Sequence, residues 1–437
     1  MLELKNKILS AGVVGAGGAG FPTHVKFCDG IETILINGTE CEPLLKTDFY
    51  LLKTFASDLE KTLNGLIKTT GAKRGVIGIK KHTGELLGIA DGKTVGKVTY
   101  KYTPDIYPAG DEIILIKETL DLAVPAGNLP ISVGVVVLNV ETLLNIKNAL
   151  SDKGVYEKYL TVGGNTDKTY VMKVPVGTPG SHIFKSLGIE IPSDCVVLDG
   201  GPMMGRIINP NTAVVTKTTK GLLIIEENTL CIRLKRKNLQ TAINHASSNC
   251  CGCRMCTDMC PRYLMGYPIE PHRIIAAVSN KIEDTKTFMG AFYCSDCGVC
   301  RTIACTQNIV PSIACQHVKG ELAKQGIRAQ QLKSVTPRVF RDYRKIPIGR
   351  VINKLGISKH YRDEFEFTDI KLPKKVFIGL KQHIGAPAVA CVKEGDKVKA
   401  GQIIANAPEK ALGTNIHSSV DGTVYSCTET GITITLG

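Results

Sequence analysis

The stretch Cys250-Cys251-Gly252-Cys253-Arg254-Met255-Cys256-Thr257-Asp258-Met259-Cys260-Pro261 carries the most decisive information in the chain. Cys250, Cys253 and Cys256 stand at three-residue intervals, Cys260 follows after a longer gap, and a proline closes the run. Three thiolates so spaced can wrap one corner of a four-iron cube, while the fourth is thrown far enough to reach a second cube. A second run, Cys294, Cys297, Cys300 and Cys305, supplies the complement. In such two-cluster wiring the last cysteine of each run serves the other centre, which groups Cys250, Cys253 and Cys256 with Cys305, and Cys294, Cys297 and Cys300 with Cys260. One detail departs from the pattern: Arg301 to Ala304 separate Cys300 from Cys305, and Thr306 stands where proline is usual. Cys305 is therefore the ligand to test, with Cys251 and Cys315 as nearby thiols able to replace it. Structural zinc is the competing reading, because CxxC pairs also build four-thiolate zinc sites. The CxxCxxCxxxCP arrangement is the more specific signal.

Composition points to a reducing compartment. Sixteen cysteines in 437 residues, half gathered in the two runs and the rest scattered, do not form a secreted disulfide framework. The opening MLELKNKILSAGVVG lacks the apolar core of a signal peptide, and no stretch approaches the eighteen apolar residues of a membrane span. A cytoplasmic protein without transmembrane segments is expected. The 54 Lys and Arg against 40 Asp and Glu leave a formal charge of +14, which favours anionic partners. The basic residues form no dense block, aromatics are only 5% and Trp is absent, so no nucleic-acid partner is expected.

A second signature opens the chain: Gly15-Ala16-Gly17-Gly18-Ala19-Gly20-Phe21-Pro22-Thr23-His24-Val25-Lys26, after a helix-like segment from Leu2 to Ala11. Glycines let the backbone approach a ligand closely, and Pro22 suits the first turn of a helix whose free amides would face an anion. No apolar strand precedes the loop, so it is not a Rossmann fingerprint. Glu32 to Asn37 reads as a short buried strand that delivers Asn37-Gly38-Thr39-Glu40-Cys41-Glu42-Pro43 at its C-terminal end, where α/β folds place ligands. Apolar runs at Arg74 to Ile79 and Gly134 to Leu138 alternate with helical stretches at Phe49 to Thr69 and Val140 to Ser151, the pattern of an α/β layer fold. For Glu42, simple helix capping remains an open alternative to ligand binding.

The segments GAGGAGFPTHVK (Gly15 to Lys26), NGTECEP (Asn37 to Pro43), YPAGDE (Tyr107 to Glu112), LNVETL (Leu138 to Leu143) and GGPMMG (Gly200 to Gly205) resemble the RnfC proteins of Rnf electron-transfer complexes and the PduS-type cobalamin reductases. The first, second and fourth are also similar to the 51 kDa NADH-binding subunit of respiratory complex I. The resemblance implies a noncovalent FMN with NADH stacked on it. By carry-over, Gly15, Gly17, Gly18 and Lys26 would surround the flavin phosphate, and Asn37, Glu40, Asn139 and Thr142 would hold its ribityl chain and ring. Phe21 would stack on the nicotinamide, Glu42 would accept ribose hydroxyls, and Gly110 and Glu112 would close the pocket. No acid-base residue is implied.

The same resemblance divides the multidomain α/β chain into an FMN/NADH-binding α/β domain (1–155), an SLBB-like β-grasp module (156–225), a helical ferredoxin-like domain with two [4Fe-4S] clusters (226–345), and a linker with a C-terminal barrel-sandwich domain (346–437). Pro261 and Pro311 would end turns around the cysteines, and a basic linker, Arg338 to Lys354, would lead into the barrel. RnfC proteins begin with the barrel whereas this chain ends with it, so the PduS-like order is the better match. Lys410 sits roughly where a lipoylated lysine would, although its surroundings match an unmodified barrel better. NADH yields two electrons together and a cube accepts one, so a flavin belongs between them. The implied activity is an NADH-dependent flavin/iron-sulfur oxidoreductase serving a downstream acceptor, cobalamin first, in the cytoplasm or inside a bacterial microcompartment. The alternatives are electron transfer to proline reductase, an Rnf-like ferredoxin-linked system, or an iron-sulfur adaptor that has lost nucleotide binding.

Overall fold

The computed structural model describes residues 1–409 and 411–436; Lys410, weighed above for lipoylation, lies outside the described residues. After helix α1 (Leu2–Ser10), the chain lays down β1 (Thr33–Gly38), α2 (Thr47–Thr70), β2 (Arg74–Lys80), α3 (Lys81–Leu87), β3 (Thr94–Val95), β4 (Val98–Thr103), β5 (Ile106–Tyr107), α4 (Glu112–Leu120), β6 (Val135–Asn139) and α5 (Val140–Leu150). Five of these strands form a sheet in the order β3-β4-β2-β1-β6, parallel except for the edge pair β3 and β4. The central strands carry runs such as Ile34, Leu35 and Ile36 that are buried from both faces, as parallel sheets require. Helices α2 and α5 cover one face; α4 covers the other and shares its core with the cysteine-bearing helices. The chain runs outward from β1 to β2 and β4 on one side and returns to β6 on the other. The switch point, where ligands collect in such sheets, therefore lies between β1 and β6, with Asn37 opposite Asn139 at its C-terminal edge.

A second sheet follows from β7 (Glu157–Gly164), β8 (Tyr170–Pro175), helix α6 (Gly180–Ser186), β9 (Cys195–Asp199), β10 (Arg206–Ile208) and β11 (Gly221–Glu226). Its order is β10-β9-β11-β7-β8, with β11 parallel to β7 between two antiparallel pairs, and the short strand Glu366–Phe367 is added beside β8. Lys158 and Lys220 reach from this sheet into the first domain, where Lys158 pairs with Glu141 and Lys220 with Asp48, all four buried. Asn139 Nδ2 also donates to Asp48 at 2.9 Å. Buried charges hold only when they are fully partnered, and here they are.

The cysteine-rich segment is helical: Leu230–Lys235, Leu239–Asn249, Met255–Asp258, Pro261–Leu264, Pro271–Ser279, Thr285–Met289 and Pro311–Lys324. Pro261 and Pro311 open helices, each at the first helical position, where the missing N–H costs nothing. The segment read as a basic linker is not loose. Ile346–Pro347 pairs with β5, the following helix Ile348–Leu355 buries Val351, Ile352 and Leu355, and Arg341 and Lys345 both pair with Glu118. Two further sheets, of four and three strands between Lys375 and Thr435, enclose the last core around Ile378, Val398, Ile404, Ile416, Val424 and Ile432. Among the described residues no helix is long and apolar enough to cross a membrane.

Candidate functional site

The glycine-rich loop closes on itself: Gly15 N donates to Phe21 O at 2.9 Å, and Val14 bridges Pro22. Closure changes what Pro22 introduces. The chain makes a single 3-10 turn, Thr23–Lys26, and becomes extended at Phe27, so no α-helix N-terminus faces the loop. Any anion here would meet loop amides. Thr142, at the start of α5, accepts from Ala16 N at 3.0 Å and ties the loop to the sheet. A Cβ on Gly17 would come within 3.0 Å of the Asn139 amide, which explains that glycine by packing. Gly18 has open space where its Cβ would be, and no protein contact explains it.

That open space belongs to a cavity of about 470 Å³ at the β1/β6 switch point, within the roughly 300–1,000 Å³ typical of cofactor sites. Gly15, Gly17, Gly18, Phe21, Lys26, Asn37, Gly110, Glu112 and Asn139 all line it. Its walls also include Val135 to Val137 from β6 and Ile384 from the C-terminal sandwich, which sequence reasoning missed. Val135 to Val137 read only as buried strand, and nothing in the sequence joins Ile384 to a loop more than 350 residues earlier. Lys26 Nζ donates to Val137 O at 2.9 Å; burial pushes its ammonium below the usual lysine range, and Glu112 across the cavity opposes that shift. Asn37 Nδ2 donates to Gly110 O at 2.8 Å and fixes the YPAGDE loop over the cavity. A mostly apolar slot with bare glycine backbone and a buried lysine has the chemistry to hold a planar cofactor that carries an anionic group.

Three residues expected here lie elsewhere. Thr142 is the loop anchor just described. Glu40 faces a second, smaller cavity beside Lys46, Lys80 and Asp363, and accepts from Asp48 N at 3.0 Å. Burial, then the neighbouring Asp48, pushes the Glu40 carboxyl up to about 7 against the pull of Lys220. Glu42 accepts from Met203 N at 2.9 Å and Met204 N at 2.6 Å, so both carboxylate oxygens are engaged by the GGPMMG loop. A Cβ on Gly201 would fall 2.2 Å from Glu42 Oε2, which is why glycine stands there. Glu42, which lines the second cavity with Glu40, thus caps no helix; its carboxylate binds a loop from the second sheet. The same Met203 receives Lys235 Nζ at 3.0 Å and Arg301 Nη2 at 2.6 Å on its carbonyl. One loop thereby ties the first sheet to the cysteine helices.

The cysteines fall into two groups. Cys260, Cys294, Cys297 and Cys300 line one small cavity. Burial, then the neighbouring Cys294, raises the Cys260 thiol to about 11. In the other group, burial and the adjacent Cys305, Cys250 and Cys253 push Cys256 up to about 12. Thiols so raised bind metal only by giving up their protons, and a cluster's charge supplies the reason to do so. These are the groupings that the crossed wiring requires. The residue inserted between Cys300 and Cys305 is absorbed by a π-helical turn, Cys300–Ala304, which carries one extra residue and still returns Cys305 to the group of Cys250, Cys253 and Cys256. Cys315, fully buried, adjoins Cys294 and Cys300. Among the described residues no three Cys, His, Asp or Glu side chains close around a point as a single ion would need, so the fit to clusters rests on the grouping and the shared cavity.

The two sites meet at the YPAGDE loop. Gly110 and Glu112 line the large cavity, and between them Asp111 caps α4 and accepts from Arg262 Nη2 at 2.7 Å. Arg262 lines the cavity of the Cys260 group. Tyr107 Oη donates to Cys297 O at 2.7 Å.

Known proteins match in the same places. Residues 8–148 match the Nuo51 FMN-binding domain, 249–310 a 4Fe-4S dicluster domain, and 354–435 the RnfC barrel sandwich hybrid domain. The C component of the Na(+)-translocating ferredoxin:NAD(+) oxidoreductase complex of Acetobacterium woodii is 32% identical over 60% of this chain and 58% of its own. The cobalamin reductase PduS of Citrobacter freundii is 37% identical over 99% of this chain and 96% of its own, and that of Salmonella typhimurium 37% over 100% and 97%. With identity sustained end to end, the chain belongs to the PduS cobalamin reductase family.

Proposed function

We propose that the protein oxidises NADH at an FMN in the β1/β6 cavity and passes electrons singly, through two [4Fe-4S] clusters, to cobalamin. The observation that carries this reading is the Tyr107 to Glu112 loop, which walls the cavity with Gly110 and Glu112 while Asp111 and Tyr107 bond to Arg262 and Cys297 of the inner thiol group. Bound flavin would supply the exchange between paired and single electrons, and clusters the single-electron relay. The chain's own residues bind and orient. Gly15, Gly17 and Gly18 offer bare backbone to the phosphate, Lys26 a charge, and Asn37 and Asn139 amides along the ring, while Phe21 and Ile384 give the nicotinamide apolar surface and exclude water. Cys260, Cys294, Cys297 and Cys300 would hold the inner cluster. Cys250, Cys253, Cys256 and Cys305 would hold the outer, where Cys250 and Cys253 are exposed, as delivery to an external acceptor requires.

The domain limits 1–155, 156–225, 226–345 and 346–437 belong to the same reading. The order β10-β9-β11-β7-β8, with the last strand parallel to the first, supports an SLBB-type β-grasp module in the second of them. The test is anaerobic: NADH added to the reconstituted protein should bleach the bound flavin, and added cob(III)alamin should then be reduced. Protein that retains flavin yet is not bleached by NADH would sink the nucleotide assignment; bleaching without cobalamin reduction would sink the acceptor.

A further inference from the structure

The cavity of the inner thiol group is lined by more than thiols. Arg262 lines it, and while its Nη2 is committed to Asp111, its buried Nε has no hydrogen-bond partner. Ser312 lines it from another element, as the second residue of helix Pro311–Lys324; it is 1% exposed, and its Oγ is also unpartnered. An unsatisfied buried donor costs on the order of 1–3 kcal/mol, so two at one small cavity call for an acceptor inside it. Protonated thiols are poor acceptors, whereas thiolates and sulfides bearing a cluster's negative charge are good ones. Asp296 also lines the cavity with an unpartnered Oδ1, but it can only accept, and Arg301 Nη1 stands 3.9 Å from it.

We propose that Arg262 and Ser312 donate hydrogen bonds to the cluster held by Cys260, Cys294, Cys297 and Cys300 and set its reduction potential. Adding an electron increases the negative charge that these donors face, so both favour the reduced form and raise the potential. Arg262 contributes a cation as well as a donor, and its orientation is held by Asp111, the residue between the two that wall the flavin cavity. The centre beside the flavin is thereby made easier to reduce than its thiolates alone would allow. This inference rests on the two-cluster reading above.

The experiment is a potentiometric titration of the reconstituted protein followed by EPR, with iron content measured on each variant. Ser312→Ala should lower the midpoint of one centre by about tenfold in its one-electron equilibrium, or about 59 mV. Arg262→Gln should lower the same centre further, and Ser312→Thr, which restores a hydroxyl, should return it towards the parent value. Should Arg262→Gln lose iron, Arg262→Lys keeps the cation and should give a midpoint between the two. Unchanged midpoints in iron-replete Ser312→Ala and Arg262→Lys would overturn the proposal, as would a shift in the centre that Cys253→Ser abolishes. A parent protein without cluster signals would instead refute the two-cluster reading itself.

Discussion

The two thiol groups use the same ligand chemistry in opposite surroundings. The inner group is enclosed, shares a cavity with Arg262 and Ser312, and is bonded through Cys297 and Arg262 to the loop over the large β1/β6 cavity. The outer group has Cys250 and Cys253 on the surface, and Cys305 reaches it by a π-helical turn. Two runs of similar spacing thus come to lie one in the protein interior and one with thiols at the surface. The difference arises from what the helices between the runs pack against, which no property of the runs themselves specifies.

The sharpest way to break this comparison is to remove one centre at a time. Cys297→Ser should abolish the inner cluster and slow NADH-driven cobalamin reduction at least about a hundredfold, which is roughly 3 kcal/mol of barrier, with flavin content unchanged. Cys253→Ser should abolish only the outer signal. Loss of flavin from either variant, measured by its absorbance, would contradict the separation of the sites. Next in size, Cys305→Ser should halve the iron content, whereas Cys315→Ala should preserve it, because Cys305 belongs to the outer group and Cys315 only packs against the inner. Iron retained in the first and lost in the second would move the eighth ligand.

Glu42→Ala tests the tie between the regions. It leaves two amides of the GGPMMG loop without their acceptor, at about 1–3 kcal/mol each if they stay dry, and should lower the thermal midpoint while leaving the Michaelis constant for NADH nearly unchanged. A large rise in that constant with unaltered stability would return Glu42 to the nucleotide site. The smallest effect concerns pH. The Glu40 carboxyl, at about 7 in the folded protein against 4.5 when free, holds a proton that the unfolded chain has already released between those values. Its contribution to stability is therefore complete below 4.5 and is lost as pH rises through 7, on the order of 1–3 kcal/mol. Glu40→Gln cannot ionise and should flatten the fall in thermal midpoint between pH 5 and pH 8; an unchanged slope would show that Lys220 and the Asp48 backbone N–H hold Glu40 ionised.

The chemistry of this protein was written locally. Cysteine spacing alone implied the crossed grouping, because three thiols per corner and one thrown outward is a constraint on neighbouring residues. Hydrophobic runs and glycine punctuation likewise placed β1, β2, β6, α2 and α5 within a residue or two of where they lie. Roles that depend on what lies across a domain boundary were beyond such reading. Glu42 looked like a ligand group until the GGPMMG loop, some 160 residues on, met its carboxylate; Pro22 promised a helix that the closed loop does not allow; Ile384, Arg262 and Ser312 carry no motif at all. A side chain's residue type determines which bonds it can make. Which partner is present to make them is decided only when separate elements pack, since burial strips away water and leaves each polar group with whatever the fold has brought beside it.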